Sequence, residues 1–135
     1  MPWTAKFGSA LLIPTGPVPH LHFVCSDPMD LQGYPPKSCL VFNVSTPAGV
    51  NPDRTCVIQA GAHPFITHES IIMFVRAQFL QAASMEQNVA SGQWPSQPDA
   101  DPALVKRILA CGDTASRAPG GIKLIAKAAW NMHYP

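Results

Sequence analysis

The fold is decided by three short runs of strand-forming residues, Ser9-Ala-Leu-Leu-Ile13, Leu21-His-Phe-Val-Cys25 and Cys39-Leu-Val-Phe-Asn-Val44. Each run is rich in aliphatic, β-branched or aromatic residues and lies close to turn-forming proline, glycine, serine or aspartate, a pattern typical of strands. Residues 55–58 predict a fourth strand and residues 71–77 a fifth. Fifteen prolines in 135 residues argue against long helices in the first two thirds of the chain. We therefore expect a mainly β fold.

Helices are predicted towards the C-terminus, beyond a polar, proline-rich linker at residues 92–101. Asp101-Pro102 is a helix-start signal, with Asp101 as the cap and Pro102 in the first helical position. Apolar residues then recur at helical spacing up to Gly112, and residues 122–130 predict a second short helix. Residues 82–90 are compatible with either a helical turn or a loop.

These elements predict one domain in two parts. Residues 1–91 are expected to form a β domain whose five or so strands close into a small barrel, because closure removes exposed strand edges. Residues 92–135 are expected to form a linker and a helical C-terminal appendage that packs on the same domain. A length of 135 residues suits one hydrophobic core.

The composition indicates an apolar surface. Hydrophobic residues make up 47% of the chain and charged residues only 13%, which favours self-association or a protein partner. No apolar run is long enough to span a bilayer, and the first residues lack the apolar core of a signal peptide. We therefore expect a cytoplasmic homo-oligomer with no membrane partner.

The cysteines and the charges exclude several classes of site. The four cysteines include no Cys-x-x-Cys pair, so neither a zinc knuckle nor a thioredoxin-like site is indicated, and all but Cys111 are expected to be buried free thiols. Residues 1–101 carry four Lys and Arg against seven Asp and Glu, whereas residues 102–135 carry five against one. If the chain binds nucleic acid, the basic tail is therefore expected to supply most phosphate contacts.

Four of the five histidines lie in or beside two predicted strands. His20 and His22 are two residues apart on a strand, so both point to one face, either as a pair in a groove or as part of a solvated surface. His63 and His68 could join them around a transition metal, although the spacing matches no zinc signature. Alternatively, the ring of His63 satisfies a backbone carbonyl, and His68 with Ser70 caps a turn.

Other motifs are missing. The chain has no Ser-His-Asp order, no phosphate-cradling glycine motif and no paired carboxylates, which argues against acyl transfer, nucleotide hydrolysis and glycosidase chemistry.

The order of the remaining motifs resembles the MazF/PemK/Kid toxins. The likeness covers residues 8–80 and is carried by Gly8-Ser-Ala-Leu-Leu-Ile13, His20-Leu-His-Phe-Val-Cys-Ser-Asp-Pro28, Leu40-Val-Phe-Asn-Val-Ser-Thr-Pro47 and the segment 66–80. The resemblance implies an SH3-like barrel, usually dimeric, that cleaves single-stranded RNA without a metal or cofactor. It also implies an antitoxin-like protein partner.

The resemblance further implies site residues. The family's catalytic arginine opens the second strand, where this chain has His20, and its threonine or serine ends the third strand, where this chain has Ser45 and Thr46. Proton transfer is thus expected from His20 or His22, because imidazole titrates near neutrality. Ser45 and Thr46 are expected to position the phosphate.

The positive charge of the missing arginine needs another source. Arg54 is the substitute expected from the sequence, with His63 as a second charge-stabilising group and His68 as a further substrate contact. Alternatively, Asp53 and Arg54 form an ordinary ion pair on the surface. The sequence thus predicts a metal-independent endoribonuclease. The alternatives are a non-catalytic β-barrel that binds a protein partner and a histidine-based metal-binding module.

Overall fold

Seven short strands form one antiparallel sheet at the centre of the fold. The computed structural model describes residues 2–135. The strands are β1 (Ala10–Thr15), β2 (Val18–Val24), β3 (Ser38–Ser45), β4 (Val57–Ile58), β5 (Ser70–Ile72), β6 (Gln78–Gln81) and β7 (Ser96–Gln97). The helices are α1 (Ala82–Ala90), α2 (Pro102–Gly112) and α3 (Ile122–His133), and a 3₁₀ turn spans Phe74–Arg76. The expected mainly β class is confirmed.

The sheet is open, unlike the closed barrel expected from the sequence. The strands follow the order β4-β5-β3-β2-β1-β7, and β6 also pairs with β3. Within residues 2–135, the end strands β4 and β7 do not pair with each other. Each has only two residues, so each edge presents few unpaired backbone groups to another chain. The short edge strands therefore limit pairing with another chain, as closure into a barrel would also do.

The hairpin of β1 and β2 is longer than the prolines suggest. The first predicted strand stops at Ile13, before Pro14, yet β1 runs to Thr15 and β2 begins at Val18 after a two-residue loop. Pro14 and Pro19 lie directly opposite each other in the register. Opposite residues in an antiparallel pair alternate between hydrogen-bonded and non-hydrogen-bonded positions, and two residues without N–H groups fit the second kind. The hairpin thereby brings Thr15 close to the start of β2.

The expected strand at residues 71–77 is interrupted, and the register explains why. Ile72 pairs with Val44 of β3, and Gln78 pairs with Val41. The five residues 73–77 therefore stand opposite only residues 42 and 43. The extra residues of this segment cannot all pair with β3, so they form the 3₁₀ turn. As a result, β5 and β6 pair with the same edge of β3.

Helices cover both faces of the sheet. On one face, Leu21, Phe23, Leu40 and Phe42 pack in a core with α2 and α3. On the other face, smaller side chains of β1 and β3 pack with α1 and the indole of Trp3. Residues 82–90, for which the sequence left helix or loop open, form the nine-residue helix α1. Because α1 is short, it covers only part of its face.

The C-terminal elements share the core with the strands. Asp101 caps α2 as expected, its side chain accepting a hydrogen bond from the backbone N–H of Ala103 at 2.8 Å. The expected linker is not purely a connection, because β7 within it pairs with β1. Apolar side chains of α2 and α3, including Ile108 and Ala129, pack in the same cluster as Phe42.

The cysteines behave as expected, with Cys25, Cys39 and Cys56 buried, Cys111 half-buried and all four free. Burial raises the pKa of the Cys39 thiol to about 12, so this thiol stays protonated and unreactive at neutral pH. Among the described residues, no helix combines the length and hydropathy that crossing a bilayer requires.

Candidate functional site

A polar strip continues the sheet face that α1 leaves uncovered. Leu21 and Phe23 point into the core under α2 and α3, so the alternation of β2 turns His20 and His22 to the opposite face, as expected. Asn43 lies directly opposite His22 in β3. Because side chains two residues apart share a face, the strip continues along β3 from Asn43 to Ser45.

A groove of about 530 Å³ opens on this strip. It lies between the tip of the β1–β2 hairpin, the end of β3 and the segment that leads into β5. His20, His68 and Arg76 are its basic side chains, and no Asp or Glu is among the described residues that line it. A groove with basic groups and no carboxylate suits an anionic ligand.

His20 is held at one ring nitrogen. Its Nδ1 lies 2.5 Å from the Oγ1 of Thr15, across the hairpin. Within residues 2–135, its Nε2 has no hydrogen-bond partner, and the half-buried ring lines the groove. One nitrogen oriented and the other free is the arrangement that a proton-transfer histidine requires.

His68 has an assignable tautomer. Its Nδ1 lies 3.0 Å from the backbone carbonyl of Glu69, which only accepts, so Nδ1 carries the proton. In the neutral ring the Nε2 is therefore unprotonated and accepts a hydrogen bond from the Oγ1 hydroxyl of Thr46 at 3.4 Å. Ser70 donates a hydrogen bond to the carbonyl of His68 at 3.1 Å and holds this turn. The lone pair of His68 is thus on the nitrogen that Thr46 contacts.

His22 is buried, with 2% of its surface exposed. Burial lowers its pKa to about 4, and the hydrogen bond of its Nδ1 with the carbonyl of His20, at 2.8 Å, only partly opposes that effect. The ring is therefore neutral at neutral pH. It lines a smaller cavity of about 220 Å³ beside the groove, together with Asn43 and Arg76.

Ser45 and Thr46 lie together at the end of β3 and line the groove. Ser45 is 7% exposed, and its hydroxyl donates a hydrogen bond to the Oδ1 of Asn43 at 2.5 Å. Thr46 is exposed, and its hydroxyl hydrogen bonds to the Nε2 of His68. The two hydroxyls therefore differ in how free they are to meet a ligand.

Arg76 is the groove residue that the sequence analysis missed. It ends the 3₁₀ turn, where Phe74 packs edge-on against Phe42 with ring centroids 5.2 Å apart. Within residues 2–135, salt bridges join only Lys6 to Asp99 and Arg54 to Glu69, so the guanidinium of Arg76 is not neutralised by a carboxylate. The signal for it was a single cation inside an otherwise apolar run.

Arg54 and His63 lie away from the groove lining. Arg54 forms an exposed ion pair with Glu69 at 2.8 Å. His63 is buried, and its Nε2 lies 2.6 Å from the carbonyl of Pro98 while its Nδ1 accepts from the N–H of Phe65 at 3.0 Å. Its ring packs edge-on against Phe23, which belongs to the core on the opposite face of the sheet.

The basic tail does not line the groove either. Arg107 and Arg117 hydrogen bond to the backbone carbonyls of Val57 and Asn51. The ammonium group of Lys106 lies 4.7 Å from the centre of the Tyr134 ring. These cations are thus engaged in intramolecular contacts, and the basic groups of the groove come from the β part of the chain.

No metal-ligand set is present in the part of the chain that the structure describes. No three His, Cys, Asp or Glu side chains lie close enough there to hold one ion. His20 and His68 share the groove, but His63 is on the other face. A histidine-based metal module therefore finds no ligand set among these residues.

No family model, curated protein or solved structure matches this chain.

Proposed function

We propose that the chain is a toxin-like endoribonuclease that cleaves single-stranded RNA in the groove without a metal. One observation carries the proposal: His20, His68 and Arg76 line a single groove whose described lining contains no carboxylate. Two imidazoles and a guanidinium are sufficient for phosphodiester transesterification, since the reaction needs a base, an acid and a positive charge.

In the proposed reaction, the 2′-oxygen of a ribose attacks the adjacent phosphorus, and the bond from phosphorus to the 5′-oxygen of the next nucleotide breaks. The unprotonated Nε2 of His68 accepts the 2′-hydroxyl proton. Protonated His20, oriented by Thr15, gives a proton to the leaving 5′-oxygen. The products are a 2′,3′-cyclic phosphate and a 5′-hydroxyl, so atoms and protons balance.

Arg76 supplies the charge in this proposal, in place of Arg54 and His63. A guanidinium stays protonated at every working pH and forms two parallel hydrogen bonds to phosphate oxygens, which suits a pentacovalent phosphorane. Arg54 already pairs with Glu69, whereas Arg76 is unneutralised. Thr46 is the hydroxyl proposed to donate to the phosphate, once the 2′-hydroxyl of the substrate has displaced it from the Nε2 of His68.

Exposed apolar side chains on the rim favour a single-stranded substrate. Phe65 lines the groove with 44% of its surface exposed, and Val18 with 57%. An exposed aromatic ring provides a surface on which an unpaired base can stack, at about 1–3 kcal/mol per base. A double helix keeps its bases stacked inside and does not offer them to such a ring.

The family-level features belong to the same proposal. We propose that the open sheet is a variant of the SH3-like barrel, supported by short antiparallel strands and by β3, which pairs with β6 through its first half and with β5 through its second. We further propose that the chain forms a homo-oligomer and binds an antitoxin-like protein partner. The proposed location is the cytoplasm, where RNA substrates are found.

The test is incubation of the purified protein with a mixed single-stranded RNA, with and without a chelator. We expect cleavage to cyclic phosphate ends that the chelator does not prevent. His20→Ala and His68→Ala should each lower the rate at least 100-fold, whereas His133→Ala, which replaces a histidine remote from the groove lining, should leave it unchanged. Equal rates in all variants, or no cleavage by the natural chain, would refute the proposal.

A protein-binding role is the second candidate, favoured by the same exposed rim. Val18 and Phe65 would then contact an apolar partner segment. Expression in bacteria separates the two: growth arrest that His20→Ala relieves supports the toxin, whereas arrest relieved by Phe65→Asp but not by His20→Ala supports partner binding.

A further inference from the structure

A buried chain of hydrogen bonds runs beneath the groove from His22 through Asn43 to Ser45. These side chains are 2%, 1% and 7% exposed, respectively. His22 and Asn43 face each other directly across β2 and β3. Buried polar side chains are nearly always paired donor to acceptor. The direction of each hydrogen bond in this chain therefore determines which atoms remain to contact a ligand.

One backbone carbonyl determines every direction in the chain. The carbonyl of His20 can only accept, so the Nδ1 of His22, 2.8 Å away, carries the proton. The Nε2 of the neutral ring then accepts, and the amide nitrogen of Asn43 donates to it at 3.4 Å. That orientation turns the Oδ1 of Asn43 towards Ser45, whose hydroxyl donates at 2.5 Å.

Ser45 therefore presents only lone pairs to the groove. Its single proton is engaged by Asn43, and within residues 2–135 its oxygen makes no other hydrogen bond. A phosphate oxygen in a diester carries no proton, so it cannot pair with an oxygen that only accepts. Few RNA groups near the scissile phosphate carry a proton, and the 2′-hydroxyl is the one that every nucleotide has.

We propose that Ser45 recognises the 2′-hydroxyl of the ribose next to the reacting one by accepting its hydrogen bond, and that His22 and Asn43 are positioning residues that keep Ser45 in this role. The inference rests on the proposed function, because it assumes RNA in the groove. The hydrogen bond to Ser45 would make the site prefer RNA over ligands that lack a 2′-hydroxyl donor. This contact is separate from the phosphate contacts proposed for Thr46 and Arg76.

The test compares binding of two short single-stranded oligonucleotides of one sequence, natural RNA and its 2′-fluoro analogue, which lacks the 2′-donor. His20→Ala serves as the background so that RNA is not consumed. Fluorescence anisotropy should show RNA bound about three- to tenfold more tightly than the analogue, the effect of one hydrogen bond. Adding Ser45→Ala should bring this ratio to about one while the affinity for the analogue stays the same.

Two further variants separate positioning from a general structural effect. Thr46→Val should weaken both ligands equally and keep the ratio. Asn43→Ala frees the proton of Ser45, so the ratio should fall while the analogue binds more tightly, a gain that simple loss of structure would not produce. Circular dichroism checks that each variant is folded.

The outcomes are distinct. If Ser45→Ala weakens both ligands equally, or leaves the ratio unchanged, the inference is wrong. If the natural chain cleaves RNA but the background variant binds both ligands equally, the inference fails and the proposed function stands. If the natural chain neither cleaves nor binds RNA, both fail.

Discussion

The Oγ1 of Thr15 lies 2.5 Å from the Nδ1 of His20, across the tip of the β1–β2 hairpin. The contact exists because the strands continue through the facing pair Pro14 and Pro19. It fixes one nitrogen of the imidazole and leaves the other for the groove. A short strand ending at residue 13 would not have provided this contact.

Removing that contact should slow cleavage without unfolding the protein. Thr15→Val keeps the shape of the side chain but loses the hydroxyl, so we expect the single-turnover rate to fall about tenfold as the ring of His20 loses its orientation. Thr15→Ser retains the hydroxyl and should keep the rate close to that of the natural chain. An unchanged rate in Thr15→Val would show that the contact does not orient the ring for reaction.

Replacing Arg76 should have a larger effect on catalysis than on stability. Arg76→Ala removes the unneutralised guanidinium from the groove, and the cleavage rate should fall about 100-fold or more. Arg76→Lys keeps the positive charge but not the paired hydrogen bonds, so its cleavage rate should lie between those of Arg76→Ala and the natural chain. Arg54→Ala is the matched control, since it breaks only an exposed pair with Glu69. A larger loss in Arg54→Ala than in Arg76→Ala would return the role to Arg54.

Stability should depend on pH through His22. Its pKa is lowered from 6.5 to about 4 in the folded protein, so between these values the unfolded chain binds more protons. The contribution is therefore fully present above pH 6.5 and is lost as the pH falls towards 4. From pH 7 to pH 5 the free energy of unfolding should fall by about 2 kcal/mol on account of this group.

Urea unfolding at the two pH values measures this loss. His22→Gln cannot titrate, so its free energy of unfolding should change less over the same interval, although the variant is less stable at pH 7 because the packing around residue 22 changes. Equal pH dependence in the two proteins would mean that another group carries it.

The cap of α2 should contribute measurably to stability. Asp101→Ala removes the acceptor for the N–H of Ala103 and should lower the free energy of unfolding by about 1 kcal/mol. Asp99→Ala is the control, because the carboxylate of Asp99 pairs with Lys6 on the exposed surface, where such pairs contribute little. Thermal unfolding of the two variants gives the comparison, and equal losses would argue against the cap.

Local signals predicted much of the fold. The strand runs at residues 39–44 and 21–25 and the start of α2 were recognisable because alternation, turn residues and caps act between close neighbours. The interruption at Phe74–Arg76 was not recognisable, because the run begins with two β-branched isoleucines and is apolar up to Val75. It arises because residues 73–77 outnumber the residues of β3 that they face. That mismatch depends on the registers of β5 and β6 against β3, which is far away in the chain.

The sequence by itself determined that His20 and His22 share a face, since alternation along a strand has a period of two. It also indicated the segments that contain β1, β2, β3 and β4. Only the tertiary structure decided that His68 and Arg76 join His20 in the groove, that His63 packs on the opposite face against Phe23, and that His22 is buried as a neutral ring. The physical reason is that these outcomes depend on strand order, register and the reach of α1, all of which are set by contacts between residues far apart in the chain.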